Sequence, residues 1–551
     1  LLKQFWTKSK IAGAVLTAIM SLCIPNAALS SEAPKKITNF TLLDHLGRSH
    51  TLNTYKDYKY VVIMAHLNTC PIVRKSAARY SELKKSFDPK GVLFMAINAS
   101  DLDDRQAIAT ETKDYGFEVP VLLDPSQIVS RELGLTRASE IVIIDTSNWT
   151  VRYKGPIDDR IGYGVDKQSA KNNYLEETLN QLLAGEKLDY KFVEALGCSI
   201  TYKKTENLSY TKHIVPIIQK RCLNCHSESS SFLPKLDSYK NIAGWASMIR
   251  DTVFDERMPP FSSDTYIQEM KNDISLTTLE KRTLVEWLNS GAPSTGLKSD
   301  GDLSRKIPAP VTASKNEKLK LVYTGKMPEP AEITPQGPNT YRYYQLGPAT
   351  ERDMWIRSTN SISTNPATLH HQILLVAPHP LSYYTEKAKT DLENAPISMV
   401  GDVPLIISNA VENSYPDKRN RRSFRIGTWF MGVNQPSYLM ANTVAFIPKG
   451  SYFILEVHHM GTGKAETEQT TLQMYGFFEK PKNKIFDKLT FLTNKITIPP
   501  GKRVHYEYAG LITDQDVYAH SFNAHMHMRG KAVEVSVETP TKKYTLVTIP
   551  R

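Results

Sequence analysis

Three features are missing from this sequence, and a fourth is scarce. No Lys/Arg block with interleaved aromatics occurs, so the net charge of +11 is weak ground for a nucleic-acid partner. Past the N-terminus nothing resembles the run of about 20 apolar residues that a bilayer-spanning helix needs, which excludes a multi-span membrane protein. No repeat period is visible, which excludes a solenoid array. Cysteine is limited to five residues in 551, so each one can be considered individually. What is present describes ordinary globular protein: 41% hydrophobic and 23% charged residues rule out a disordered chain. The length corresponds to roughly three to four domains.

Lys3, Lys8 and Lys10 precede a 14-residue apolar run, Ile11–Ile24, and Ala28-Leu-Ser30 offers small residues for cleavage before Ser31. This pattern predicts a secretory signal peptide over residues 1–30. The alternative, an uncleaved anchor, has a short apolar run for a bilayer. Export predicts a periplasmic or secreted protein with no stable membrane span after cleavage. It leaves Cys70, Cys198, Cys222 and Cys225 in an oxidising compartment, where pairing is possible.

Three compositional regimes follow. Residues 36–190 alternate β-branched runs (Tyr60–Ala65, Val92–Ile97, Pro120–Leu123, Ile141–Asp145) with helical patterns (Arg74–Phe87, Arg105–Tyr115), which predicts an α/β fold. Residues 205–295 show apolar positions at helical spacing in His213–Cys222, Ala243–Val253 and Thr277–Leu288, which predicts an all-α domain. A linker rich in Pro, Lys, Gly and Ser spans about 296–317. From 318 onward short alternating strands with Pro/Gly turns predict all-β jelly rolls, one over 318–482 and a second over 483–551.

In the first region Asn68-Thr-Cys-Pro-Ile-Val73 follows a buried strand and opens a helix, whose N-terminus favours a thiolate at Cys70; Arg74 and Lys75 add positive charge. The segment resembles the thioredoxin-like redoxin and peroxiredoxin superfamily over about 150 residues. The resemblance includes Leu123-Asp-Pro125, Leu133-Gly-Leu-Thr-Arg137 and Val151-Arg-Tyr-Lys-Gly-Pro-Ile-Asp158. Two positions depart from that family. Val73 stands where a second cysteine would complete C-x-x-C, and Ser139 stands where a proline usually precedes the next strand. Cys70 is thus a candidate redox thiol, and Cys198 is left as its candidate resolving partner once Cys222 and Cys225 are set aside for a motif of their own. The plain alternative is a retained fold that only positions its neighbours.

Arg221-Cys-Leu-Asn-Cys-His226 is C-x-x-C-H, the attachment motif for covalent haem c: two thiols add to the vinyl groups and the imidazole binds iron. Zinc would need two further ligands at related spacing, and none lies nearby. The segment resembles class I cytochrome c, which implies a methionine as sixth ligand. Met258, before Pro259 and Pro260, is the expected residue, with Met248 and Met270 as competitors and His213 as the bland alternative.

Nine of the fourteen histidines fall between 370 and 527, in the patterns His370-His371, His458-His459-Met460 and His525-Met-His527-Met528. Imidazole suits copper, zinc and iron, and in a strand His525 and His527 share a face. Adjacent His370 and His371 need an irregular backbone to do the same. Leu369-His-His-Gln-Ile-Leu-Leu375, Ile447-Pro-Lys-Gly450, Leu455-Glu-Val-His458 and His525-Met-His-Met-Arg-Gly530 resemble the copper type II, ascorbate-dependent monooxygenases, the family of peptidylglycine α-hydroxylating and dopamine β-monooxygenase. The resemblance implies two coppers. One would be held by His370, His371 and His458, with His459 as the competing choice; the other would be held by His525, His527 and a methionine expected beyond Arg551, leaving the second jelly roll incomplete.

The combination predicts a copper-dependent monooxygenase that inserts one oxygen atom of O2 into a C–H bond of a small molecule or peptide, with electrons relayed through haem c from an unidentified donor. Two alternatives stay open: a non-enzymatic electron-transfer or copper-binding protein, and a thiol peroxidase centred on Cys70.

Overall fold

The computed structural model describes residues 35–550, apart from 304–318, 387–410, 412–424, 431–436, 486–495 and shorter stretches that include 189–192, 228–232, 336–339, 525 and 527–529. The expected signal peptide, most of the linker, and His525 and His527 therefore lie outside the described residues. Among the described residues no helix is long and apolar enough to cross a membrane.

The chain begins with a short hairpin, β1 (Thr41–Leu43) and β2 (Ser49–Thr51), followed by β3 (Tyr60–His66), α1 (Pro71–Phe87), β4 (Val92–Asn98), α2 (Arg105–Asp114), β5 (Val121–Leu123), α3 (Ile128–Glu132), β6 (Ile141–Asp145), β7 (Thr150–Gly155) and α4 (Tyr174–Ala184). Five strands form one sheet in the order β5-β4-β3-β6-β7. β3, β4 and β5 run parallel, and β6 and β7 pair antiparallel. Central strands covered on both faces read as unbroken apolar runs, which is why Val61–Ala65 and Ile141–Ile144 are fully buried. This is a multidomain chain whose first part is an α/β thioredoxin-like domain.

One face of the sheet packs on α1, α2 and α4 through Val62, Met64, Tyr80, Phe94 and Leu179. The other face, with Val61, Ile63, Met95, Ile97 and Val142, continues without interruption into Tyr210, Ile218, Phe254, Val285 and Trp287. These belong to a helical region: a π-helical turn Tyr210–Ile214, α5 (Val215–Arg221), α6 (Tyr239–Gly244), α7 (Ala246–Phe254) and α8 (Thr278–Asn289). α8 begins at a capping box, Thr277 Oγ1 accepting from Glu280 N while Glu280 accepts from Thr277 N. Polar ties cross the same seam. Arg282 donates to the carbonyls of Ser126 (3.0 Å) and Pro125 (2.9 Å), and Arg250 to Glu132 Oε2 (2.9 Å).

The remainder is sheet-rich: β8 (Lys320–Lys326), β9 (Ala331–Ile333), β10 (Thr340–Gln345), β11 (Met354–Ser363), β12 (Leu369–Ala377), β13 (Arg425–Phe430), β14 (Ser437–Tyr438), β15 (Thr443–Ile447), β16 (Tyr452–His459), β17 (Glu466–Glu468), β18 (Thr470–Phe477), β19 (Lys484–Ile485), β20 (Val533–Glu538) and β21 (Lys543–Ile549). A sheet ordered β10-β16-β12-β13 stacks on one ordered β19-β15-β11-β18-β8. Leu374, Phe453, Leu455 and Val457 from the first, with Ile356, Ala445, Leu472 and Met474 from the second, make a single core. β20 and β21 form a separate hairpin.

Candidate redox and metal sites

Cys70 is the N-cap residue of α1, with extended backbone (φ −68°, ψ 119°), and Pro71 starts the helix. Proline is at home there because its missing N–H would have had no intrahelical partner. The preceding turn is held by α2. Glu111 accepts from Thr69 N with both oxygens (3.0 and 2.8 Å) and from Arg74 Nη2 (2.7 Å). Thr69 sits in the left-handed region at φ +64°, so these bonds stabilise a conformation a threonine rarely takes. The positive charge expected from Arg74 is thus shared with a buried carboxylate. Glu111 was not legible as part of the site, because it lies 41 residues on in an ordinary polar helix.

Below the turn His66 is buried; it hydrogen bonds Asn98 Nδ2 at 3.1 Å, and Asn98 in turn donates to Asp103 (2.7 Å). Burial pulls the His66 imidazole down to about 4, with Glu111 and Asp103 opposing.

Cys198 lies beside Cys70 although 128 residues separate them. The Cys198 thiol is pushed up to about 11, first by its side-chain hydrogen bond with Cys70 and then by burial. The two thiols form no disulfide; Cys70 is buried and Cys198 exposed. Ser139, at the expected proline position, has φ +69° and donates its N–H to Ala65 O (2.7 Å). Proline can do neither.

In the helical region Cys222 ends α5, and the N–H groups of Cys225 and His226 bond back to Cys222 O (3.1 and 3.0 Å). His226 Nδ1 is 2.8 Å from Pro234 O, which leaves Nε2 free to serve as a ligand. Burial pushes the Cys222 thiol up to about 12 and raises Cys225 as well. Met258 follows α7 with an exposed side chain and donates its N–H to Thr252 O (3.1 Å). His213 Nδ1 accepts from Ser209 N (2.9 Å), a capping role.

The β-sandwich brings His370, His371 and His458 together: one ring nitrogen from each lies within 4.8 Å of the others. His371 faces His458 across the β12–β16 ladder, and the register shifts between Leu369 and His371. That shift is the irregular backbone adjacent histidines need to share a face. Tyr341 stacks on His458 at 4.1 Å. His458 is only 4% exposed, yet neither of its ring nitrogens has a hydrogen-bond partner. A buried polar group left unbonded needs an explanation, and a bound metal ion would supply one. Burial and the neighbouring histidines hold its imidazole down at about 3, in the neutral form that ligates. His459 points the opposite way, into the core, where its Nε2 meets Glu468 Oε2 at 3.1 Å.

Residues 33–156 match the AhpC/TSA family. No curated protein matches the chain. Solved structures similar to it include a hypothetical protein from Sinorhizobium meliloti 1021 (24% identity, 32% of this chain and 97% of that one, TM-score 0.29). An uncharacterized conserved protein from Geobacillus kaustophilus gives 26% identity over 31% of this chain and 93% of that one, with TM-score 0.27. Peroxidoxin BcpB from Mycobacterium tuberculosis gives 18% identity over 27% and 93%, with TM-score 0.21. Residues 33–156 are an AhpC/TSA-type, thioredoxin-like redoxin domain.

Proposed function

We propose that this chain is a thiol-based oxidoreductase in which Cys70 is the nucleophile and Cys198 the resolving thiol. The observation that carries this reading is the placement of the two cysteines. Cys70 caps the N-terminus of α1 after β3, and Cys198 is held on the loop before β6, with Ala138 N donating to Cys198 O (2.8 Å) and the adjacent Ser139 N to Ala65 O of β3 (2.7 Å). A helix N-terminus favours the thiolate that attacks. With a hydroperoxide, the Cys70 thiolate takes the terminal oxygen; the O–O bond breaks, the alcohol leaves and Cys70 becomes a sulfenic acid. The Cys198 sulfur then attacks the Cys70 sulfur. An S–S bond forms, the S–O bond breaks, and water leaves with the Cys198 proton. An external dithiol restores both thiols by exchange. Peroxide consumption with a dithiol reductant tests this. Cys70→Ser should abolish turnover, and in Cys198→Ser the Cys70 sulfenic acid should react with the external dithiol instead, with no intramolecular disulfide formed; full turnover by Cys70→Ser would refute the reading.

A second reading rests on His370, His371 and His458. These residues would hold one copper ion, with His525 and His527 contributing to another, while Cys222, Cys225 and His226 would carry haem c with Met258 as sixth ligand. Bound copper supplies O2 and one-electron chemistry, and haem c supplies single electrons. On this reading an exported or periplasmic copper monooxygenase acts on a small molecule or peptide. The residues present fit: three clustered imidazoles, one of them, His458, with both nitrogens unbonded, and His226 with Nδ1 already engaged.

A further inference from the structure

The stretch before the helical region lies along the loop that precedes β6. Ala138 N donates to Cys198 O (2.8 Å) and Ile200 N to Thr136 O (2.9 Å), with Arg137 and Ser199 paired antiparallel. Ser139 Oγ donates to Leu196 O (2.6 Å) and Tyr202 OH to Leu135 O (2.6 Å). Ala195 and Ile200, both buried, anchor the stretch at either end. The approach is closest at Gly197: a Cβ there would stand 1.9 Å from Ala138 O and 2.9 Å from Ala138 C. Only glycine allows that approach without a backbone shift.

We propose that residues 194–202 are a resolving arm, laid as an added strand on the Thr136–Ser139 loop to deliver Cys198 to Cys70, and that Gly197 is the positioning residue that sets its register. The inference rests on the thiol reading above and deepens it. Strand addition gives the arm its address through main-chain bonds, independent of side-chain identity. The same bonds explain how a cysteine can resolve Cys70 when Val73 stands where the second thiol of C-x-x-C would be. Ser139 takes part as a serine, because its hydroxyl holds Leu196 while its N–H holds β3.

The test separates the two chemical steps in the full chain. Hydrogen peroxide is added in single-turnover amounts. Sulfenic acid is trapped with a cyclic 1,3-diketone, and disulfide is counted by thiol alkylation and mass spectrometry. In Gly197→Ala the Cys70 sulfenic acid should form at the unsubstituted rate, while disulfide formation slows about 100-fold, the penalty of roughly 1 Å of misplacement. Sulfinic acid on Cys70 should accumulate under excess peroxide. Ser139→Ala, which adds no bulk, should slow the disulfide step by roughly fivefold, the worth of one hydrogen bond. Equal disulfide rates in folded Gly197→Ala and the unsubstituted chain would overturn the arm while leaving the thiol reading intact. If Gly197→Ala does not fold, the Ser139→Ala rate decides, and an unchanged rate there overturns the proposal. No sulfenic acid on Cys70 in the unsubstituted chain would overturn the thiol reading itself.

Discussion

His459 Nε2 and Glu468 Oε2 meet at 3.1 Å inside the β-sandwich, with both side chains fully excluded from solvent. Glu468 Oε1 also accepts from Ser363 Oγ (2.7 Å) and Thr470 Oγ1 (2.6 Å), so the carboxylate is surrounded by donors. Removing one member of such a set strands the others without water. Glu468→Ala should therefore destabilise the sandwich by about 3–5 kcal/mol. Glu468→Gln, which keeps the shape and some of the bonds, should lose about 1–3 kcal/mol. Denaturant midpoints of the two variants check the order.

The three outward histidines should bind a metal ion independently of the thiols. With the cysteines blocked by alkylation, copper at 100 times its Kd should stabilise the chain by about 2.7 kcal/mol. His458→Ala should remove that gain and Cys70→Ser should not. Thermal melts with and without copper measure it.

Glu111 is expected to govern Cys70 through the turn between them. Losing its bonds to Thr69 N releases a left-handed residue directly before Cys70. Glu111→Ala should slow the reaction of Cys70 with peroxide by about 10- to 150-fold, the equivalent of about 1.5–3 kcal/mol for a hydrogen bond to a charged group. Stopped-flow kinetics on the unsubstituted chain and the variant give the ratio.

His66 makes the redoxin domain sensitive to acid. Its imidazole titrates near 4 in the folded chain because it is buried, against 6.5 ordinarily. Between those values the unfolded chain binds the extra proton, so stability rises with pH. The contribution is fully present above 6.5 and is lost as pH falls toward 4, amounting to about 3 kcal/mol. Denaturant unfolding at pH 7 and pH 4.5 should show the loss, and His66→Gln should flatten it.

The strands of the redoxin sheet were legible because burial on both faces leaves long apolar runs: Ile141–Asp145 is observed with the expected bounds. Helix starts were less so. α1 begins at Pro71, three residues before the expected Arg74, because Pro71 fits the first turn. The expected helix Ala243–Val253 is split into α6 and α7 at Trp245. At the histidine cluster, residue type and adjacency were visible, and so was the need for an irregular backbone. The pleat of β16 separates His458 from His459, sending one outward and the other to Glu468. The arm left no periodic trace, since its bonds join residues about 60 positions apart and use main-chain groups any sequence carries.

The apolar layer shared by the five-stranded sheet and α5–α8 has a practical consequence for dissection of the molecule. A fragment cut near residue 190 would keep Ile37, Phe40, Leu52 and Val129 on that layer but lose Tyr210, Ile218, Phe254, Val285 and Trp287 from it, and should self-associate through the uncovered part. A fragment carried on to residue 299 keeps that side covered and should melt in a single calorimetric transition. Because one apolar layer is built from both, the redoxin sheet and the C-x-x-C-H segment are expected to unfold together.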